Sequence, residues 1–302
     1  MLALDPGFGE TKVAFVKGEE IISFSFPSLV AEHVPSPLEA DLRLVEFGGK
    51  SYVVGRHARV ETGCRELYDY GDLVQALPLL FGYALTEARE MGFRDPEAVV
   101  VSVAPGHWPE RERAERALSS FPGCGEVIVV PQGLGGYHLC RGQVPEGAEY
   151  VLVLDFGYNT VDWLLVEHGE RYRVLKGATL HRMGVMKLVE IFRSELDGKL
   201  AELPPRVLRE FLRRGGGKIY GEWLDLSGQR RRAQEKYGEA LVSSLKREVG
   251  ELASAADAVV CVGGGVHYVD PEREALHGVV VVAPRPEMAN AEGQLLMVVK
   301  KF

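Results

Sequence analysis

One short pattern occurs twice in the sequence, about half a chain apart, and limits the fold more than any other feature. Residues 2–16 and 152–166 each contain an apolar stretch, an Asp-x-Gly turn and a second apolar stretch. This pattern predicts two β-hairpins. An Asp at a strand end can hold a hydrated divalent cation, and a Gly two residues later lets backbone N–H groups approach phosphate. The repeat therefore indicates two related halves that face each other across a nucleotide.

Length and charge set the first limits on function. The 302 residues are enough for two cores of ordinary domain size. A formal net charge of -8 argues against direct binding to nucleic acid, because neutralising phosphates requires a concentrated cationic surface. Any DNA is therefore expected to be reached through a DNA-binding adaptor protein. The basic runs Arg213-Arg214 and Arg230-Arg231-Arg232 are interpreted as solvated helix faces.

The cysteines and the N-terminus predict a cytoplasmic protein. The four cysteines are widely spread and have no zinc-site spacing, which is typical of a reduced compartment. Met1 leads directly into an apolar strand, and no basic segment followed by a long apolar stretch suggests a signal peptide. No apolar run reaches the roughly 20 residues that span a bilayer. No membrane partner is therefore expected.

Strands and helices alternate along the chain, which predicts an α/β fold. After the first hairpin, strands are expected at residues 21–27, 98–103, 126–130, 172–177, 258–262 and 279–282. Helices are expected at 72–91, 109–120, from 133, then 183–195, 205–213, 229–255 and from 290. Lobe I is predicted to span 1–145, with a small insertion subdomain at about 27–65, and lobe II to span 146–285. The C-terminal helix, about 286–302, is expected to pack back on lobe I.

Polar residues around the two turns are candidates for phosphate binding. Lys12 lies seven residues past Asp5 on the outgoing strand, where its ammonium is either directed at phosphate or simply exposed. Asn159 and Thr160 are candidate donors to the terminal phosphate, although Asn159 also suits a left-handed turn. Asp162 lies in an otherwise apolar strand, so its carboxylate should be paired or catalytic.

Two further motifs follow predicted strands. Gln132 stands at the start of a predicted helix, where its amide is suited to orienting water for hydrolysis or to serving as a polar helix start. The triplet Gly263-Gly264-Gly265 after a buried strand would let a base and ribose approach the backbone. A plain glycine turn from strand to helix is the alternative.

In their order along the chain, these motifs resemble those of the actin/Hsp70/sugar-kinase ATPase superfamily. The motifs are Leu4-Asp5-x-Gly7-x-Gly9-x-x-Lys12, Pro131-Gln132-Gly133, Leu154-Asp155-x-Gly157-x-Asn159-Thr160, Val262-Gly263-Gly264-Gly265 and Ala289-Asn290-Ala291-x-Gly293. Residues 48–58, the helix start at Asn290 and the short length are similar to bacterial and archaeal actin-like proteins of the ParM/StbA plasmid-segregation type. The resemblance implies two ribonuclease-H-like lobes with a nucleotide cleft between them.

The resemblance also implies an activity. ATP or GTP would bind with Mg²⁺, subunits would join head to tail into filaments, and hydrolysis would be fast only in the filament. Asp5 and Asp155 would act in catalysis by holding Mg²⁺ through water, and Gln132 would position the attacking water. The nucleotide would contact Gly7, Gly9, Thr11, Lys12, Gly157, Tyr158, Asn159, Thr160, Gly263, Gly264 and Gly265.

Some positions depart from the pattern of the family. Pro6 removes one backbone N–H that would otherwise reach phosphate, and many members of the ParM branch carry Glu where Gln132 stands. The ribose-contacting residue of lobe II stays open, with residues 246–248 as candidates. The expected role of the filament is plasmid or DNA segregation or cytoskeletal organisation. The alternatives are a small-molecule kinase that uses Asp162 as its base, or a non-hydrolysing scaffold of the cell-division or pilus-assembly type.

Overall fold

The computed structural model describes residues 1–35, 42–250, 256–271 and 278–299. The chain divides into two compact units. Unit 1 consists of Met1–Leu139 and Met288–Phe302, and unit 2 of Cys140–Glu287.

The strands of unit 1 are β1 (Leu2–Pro6), β2 (Glu10–Lys17), β3 (Glu20–Pro27), β4 (Leu29–Glu32), β5 (Leu44–Phe47), β6 (Lys50–Val54), β7 (Arg65–Glu66), β8 (Ala98–Val103) and β9 (Glu126–Pro131). Those of unit 2 are β10 (Tyr150–Phe156), β11 (Thr160–Glu167), β12 (Arg173–His181), β13 (Gly216–Ile219), β14 (Glu222–Asp225), β15 (Ala258–Val262) and β16 (Val279–Val282). The α-helices are α1 (Tyr70–Glu90), α2 (Arg111–Ser119), α3 (Leu134–Cys140), α4 (Val185–Ser194), α5 (Pro205–Arg214), α6 (Ser227–Val249) and α7 (Ala289–Val299).

The main sheets of the two units have the same topology. In unit 1 the order is β3-β2-β1-β8-β9, and in unit 2 it is β12-β11-β10-β15-β16. The first three strands of each unit form an antiparallel meander, and the last two continue parallel to the first strand. The central strands β1, β8 and β15 are buried along their length and β10 is buried except at Tyr150, as expected of strands covered on both faces. The predicted α/β class is confirmed, and its two copies correspond to the repeat in the sequence.

Helices cover both faces of the unit 1 sheet. On one face α1 contributes Leu77, Leu80 and Phe81 to a core that includes Leu4, Phe15 and other residues of the sheet. On the other face the small side chains of Ala3, Ala14 and Val100 pack against α7. Complete burial of a side chain such as Leu80 contributes roughly 1.5–3 kcal/mol.

In unit 2, α4, α5 and α6 build one core against the sheet. Leu188, Leu208 and Leu241, one from each helix, are fully buried in the same cluster as Leu154 and Trp163 of the sheet. The packing explains the apolar periodicity of the predicted helices, because each helix presents a single stripe to this core.

The segment after α5 differs from the prediction. No strand is predicted between the helices at 205–213 and 229–255, whereas β13 and β14 form an antiparallel hairpin there. Gly215 ends α5 in the left-handed conformation at φ 72. Any Cβ at Gly217 would overlap the ring of Phe211, so the strand can cross this ring only with glycine. The reason is the packing of this strand on the Phe211 ring, which the pattern of apolar residues does not reveal.

Several element ends also differ from expectation. The helix predicted at 109–120 begins at Arg111, after a 3₁₀ helix over Pro105–Glu110. Strand β12 extends to His181, beyond the predicted end at residue 177. The long helix α6 ends at Val249, before Gly250 at φ 77. Residues 251–255 of its predicted length lie outside the described residues.

A second sheet of unit 1 has the order β5-β6-β4-β7 and surrounds a small apolar cluster that includes Leu29, Val53 and Ala58. Among the helices that the structure describes, none is long and apolar enough to cross a bilayer.

Candidate functional site

The first candidate site is built around Asp5, near the carboxyl end of β1. Asp5 is 2% exposed, and its Oδ1 accepts hydrogen bonds from Ser102 Oγ at 2.6 Å and Gln132 Nε2 at 3.2 Å. Lys12, its direct neighbour on β2, places Nζ 3.8 Å from Asp5 Oδ2. The strands β2 and β8 and the end of β9 thus each direct one donor at this carboxylate, which fixes its orientation.

The turn after Asp5 is held by Ser28. The Gly7 N–H donates to Glu10 O at 3.1 Å, while Ser28 donates from Oγ to Gly7 O at 2.6 Å and from N to Gly9 O at 3.1 Å. Thr11 is fully buried, with its Oγ1 2.8 Å from Ser28 Oγ. The turn carbonyls are therefore directed at Ser28, and the Thr11 hydroxyl lies behind the turn. Any Cβ at Gly7 would lie 2.9 Å from Glu10 O.

The second candidate site is built around Asp155, at the corresponding place in β10. Asp155 is 4% exposed, and its direct neighbour on β11 is Asp162. The glycine triplet lies against this strand end. Gly263 has φ 89, and a Cβ there would overlap Asp155 Oδ1 and lie 2.5 Å from Phe156 O. Likewise, a Cβ at Gly265 would lie 2.7 Å from Phe156 Cβ. The structure therefore brings Asp155 and residues 263–265 together within unit 2.

The turn over Gly157–Thr160 repeats the geometry of the first. The Gly157 N–H donates to Thr160 O at 2.9 Å, as the Gly7 N–H donates to Glu10 O. Its carbonyls are held by the start of α4, because the backbone N–H groups of Gly184, Val185 and Met186 donate to Asn159 O, Gly157 O and Tyr158 O at 3.2, 3.1 and 3.0 Å. These bonds also satisfy helix-start donors that have no intrahelical partner.

Three residues that hold this framework were not singled out from the sequence as site residues. Gly184 is required because a Cβ would lie 2.6 Å from both Thr160 N and Tyr158 O. In unit 1, Ser28 donates to the Gly7 carbonyl and Ser102 donates to the Asp5 carboxylate. The glycine between a strand and an apolar helix was a usable signal for Gly184. No local signal marks the two serines, whose partners lie 17 to 97 residues away.

The side chains of Tyr158 and Asp162 are held by neighbours in unit 2. The Arg209 guanidinium of α5 lies over the Tyr158 ring, 5.4 Å from its centroid. Asp162 is 4% exposed and accepts hydrogen bonds from Thr179 Oγ1 and, at 3.4 Å, from Thr160 Oγ1. The structure thus gives this carboxylate hydroxyl partners within the ladder.

Gln132 is positioned by a close helix crossing in unit 1. Asn290 Oδ1 accepts from the N–H groups of Gly133 at 3.1 Å and Gly136 at 3.2 Å, and so caps the start of α3. Any Cβ at Gly293 of α7 would overlap the carbonyl oxygen of Gly135, so the two backbones are in direct contact. The Gln132 N–H donates to Val103 O at 2.8 Å, which ties the residue to β8.

The donor chemistry fits hydrated Mg²⁺. Within the described ranges, no group of three or more His, Cys, Asp or Glu side chains is arranged to hold a metal. Mg²⁺ is usually bound by one or two carboxylates together with phosphate oxygens and water, rather than by an all-protein cage. Asp5 and Asp155, each a single buried carboxylate at a strand end, fit that requirement.

Together the fold and the two turns define a class of protein. Each unit carries the five-stranded sheet of a ribonuclease-H-like lobe, with an Asp-x-Gly turn at the carboxyl end of its first strand. This duplicated arrangement is that of the actin-like ATPases.

Comparison with known proteins agrees with this class. Residues 3–135 match the family model "Actin like proteins N terminal domain", and residues 153–274 match "Archaeal actin homologue MreB-like, C-terminal". The chain therefore belongs to the actin-like superfamily, as its motifs predicted. No curated protein sequence matches it significantly.

Solved structures of actin-like proteins share the fold over the whole chain. Ta0583, an archaeal actin homologue, has a TM-score of 0.79 at 20% identity, with 100% of both chains covered. ParM from the 15-stranded filament of Clostridium botulinum has a TM-score of 0.73 at 16% identity, covering 100% of this chain and 99% of that chain. ParM of Bacillus thuringiensis with AMPPNP has a TM-score of 0.62 at 16% identity, covering 99% and 98%.

Proposed function

We propose that this protein is a nucleoside-triphosphate hydrolase that polymerises head to tail into filaments for DNA segregation or cytoskeletal organisation. The observation that carries the proposal is the duplicated turn, whose carbonyl groups are engaged from behind by Ser28 in one unit and by the start of α4 in the other. Structures of related fold support nucleotide binding and assembly, since Ta0583 is known in complex with ADP and ParM of Clostridium botulinum as a filament.

The turns would bind the phosphates of ATP or GTP. Because the carbonyls of Gly7, Gly9 and residues 157–159 are held by protein donors, we assign N–H groups on the other side of each turn to phosphate. Lys12 lies beside the first turn, with Nζ 3.3 Å from the Cβ position of Gly7, and adds a positive charge there. Thr160 is assigned to the terminal phosphate.

Asp5 and Asp155 would hold Mg²⁺ through water. When bound, the ion supplies charge neutralisation on the phosphates. Gln132 would orient the attacking water, because an amide can donate and accept at once; its bond to Asp5 holds it at the strand end. Residues 263–265 would lie beneath the base and ribose. Since the net charge is -8, DNA would be engaged through an adaptor protein.

Two measurements on the purified protein test the proposal. Nucleotide-dependent pelleting followed by electron microscopy should reveal filaments. Phosphate release in the absence of any added acceptor should separate hydrolysis from a small-molecule kinase activity. A protein that stays monomeric with ATP and with GTP, or that releases phosphate only with an added alcohol, would rule out the proposed function.

A further inference from the structure

Two aromatic side chains on the hairpin of β13 and β14 are exposed. Tyr220 at the tip is 99% exposed, and Trp223 on β14 is 54% exposed. The inner face of the hairpin is anchored, because Leu224 packs on the core of unit 2 and Gly217 lies against Phe211. The outer face therefore presents Trp223 and its cross-strand neighbour Lys218 from a fixed base.

The tip conformation is unfavourable for the residue that occupies it. Tyr220 has φ 50, in the left-handed region that suits Gly or Asn and that bulky side chains avoid. With Gly221 at φ 89, the turn has both central residues at positive φ. Asn at position 220 would make the same turn without the cost. The tyrosine is therefore not explained by the needs of the turn.

The charge around the hairpin has the opposite sign to the rest of the chain. Residues 205–232 contain eight Arg and Lys and three Asp and Glu, whereas the remainder contains 27 and 40. The two basic runs of the sequence are neighbours in the fold, since the Arg230 guanidinium lies 3.7 Å from the Cβ position of Gly215, directly after Arg213-Arg214. Three of these arginines form ion pairs, Arg213 and Arg214 with Glu210 and Arg232 with Glu195, so Lys218 is the cation that the hairpin itself presents.

A surface of complementary character lies at the amino ends of the unit 2 strands. Asp257 and Glu149 are exposed and adjacent, because Asp257 Oδ2 accepts from the Glu149 N–H at 2.8 Å. Hydrogen bonds from the backbone N–H groups of Tyr150 and Glu149 lower the pKa of Asp257, which keeps it charged. Val279, whose N–H donates to Asp257 O at 3.0 Å, is 52% exposed. The patch of Glu149, Asp257 and Val279 is thus acidic with an apolar member.

We propose that the hairpin tip, with Tyr220, Trp223 and Lys218, docks on the acidic patch of a second copy of this chain. Exposed Tyr and Trp on a rigid base are typical of residues that dominate binding energy in interfaces. Opposite charges would steer the two surfaces together. The contact is heterologous, because it joins two different surfaces, and a heterologous contact that does not close into a ring produces an open filament. This inference rests on the proposed function and names its subunit contact.

The test uses the full chain with ATP and Mg²⁺ and three variants. The hairpin variant is Tyr220→Asn with Trp223→Ser, in which Asn preserves the turn. The patch variant is Glu149→Lys with Val279→Lys. The matched control is Tyr68→Ser, which removes another tyrosine that is 72% exposed, in unit 1. Thermal melting establishes that each variant is folded.

The hairpin variant and the patch variant, each tested alone, should raise the protein concentration needed for pelleting at least about tenfold. The control Tyr68→Ser should behave as wild type. Each variant retains one half of the contact, so an equal mixture should form a 1:1 dimer in sedimentation velocity but no polymer. A hairpin variant that pellets at the same concentration as wild type would overturn the inference and leave the proposed function intact. A wild-type protein that never pellets would overturn both. If wild type binds a labelled oligonucleotide and the hairpin variant pellets normally but does not bind it, the inference is overturned and the hairpin is assigned to nucleic acid.

Discussion

At the scale of single residues, the two halves of the molecule use the same backbone geometry with different side chains. Each has an Asp near the carboxyl end of the first strand and a Gly N–H that closes the following turn at 3.1 or 2.9 Å. In one half the turn carbonyls are held by Ser28, and in the other by backbone N–H groups at the start of α4. The turns are therefore rigid before any ligand binds, which reduces the entropy lost on binding.

Asp155→Ala should reduce nucleotide hydrolysis at least about 100-fold, because the variant loses the carboxylate proposed to hold the waters of Mg²⁺. Thermal melting should still show a cooperative transition of a folded protein, since the substitution creates no overlap with Gly263. Steady-state phosphate release measures the effect, with Glu239→Ala on the exposed face of α6 as the control. A variant that retains wild-type turnover would contradict the role given to Asp155.

Gln132→Ala should separate catalysis from binding. Its Nε2 bond to Asp5 positions the amide, and its loss should lower kcat roughly 100-fold while the nucleotide Kd stays nearly unchanged. Phosphate release and fluorescent-nucleotide titration provide the two numbers. Equal loss of turnover and affinity would instead make Gln132 a binding residue.

At the scale of secondary-structure elements, what local patterning determines was predictable from the sequence, and what distant contacts determine was not. The strands of both main sheets follow from apolar stretches, since strands buried on both faces leave continuous apolar runs in the local sequence. The hairpin of β13 and β14 was not predicted, because its strands form no apolar run and the first of them depends on the fit of Gly217 against the nearby Phe211 ring. The residues proposed for the site were accessible through their motifs, whereas Ser28 and Ser102, which brace it, were not.

Gly263→Ala should destabilise unit 2 more than backbone strain alone explains. The new methyl group would overlap Asp155 Oδ1, and the alanine would also have to adopt φ 89. Gly147→Ala is the matched control, because Gly147 has φ 90 and nothing within 4 Å of its Cβ position. We expect a loss of about 1–2 kcal/mol for the control and about 1–3 kcal/mol more for Gly263→Ala.

Denaturant unfolding measures both glycine variants against wild type. Equal losses would mean that residues 263–265 relax away from the strand end, and that the contact with Asp155 is not a rigid one.

At the scale of the whole molecule, charge is distributed unevenly along the chain. Residues 205–232 carry a net positive charge, whereas the remainder of the chain is strongly acidic. Assembly between such copies should weaken as salt is added, because exposed charges are screened over about 10 Å at 0.1 M ionic strength. The concentration needed for pelleting should therefore rise several-fold between low and high potassium chloride.

Pelleting over a salt series, with sucrose at matched osmolality as the control, tests this dependence. Assembly that strengthens with salt would indicate a contact made mainly of apolar surface, and would remove the electrostatic part of the proposed docking.

The residues that pair with the two strand-end carboxylates on the neighbouring strands differ in charge between the two halves. Asp5 faces Lys12, whereas Asp155 faces Asp162. The first half thus places a lysine ammonium opposite its acid, whereas the second places two acids side by side, one of which accepts hydrogen bonds from Thr160 and Thr179. The divalent ion proposed at these sites should therefore stabilise unit 2 more than unit 1, so that its removal by a chelator loosens unit 2 first.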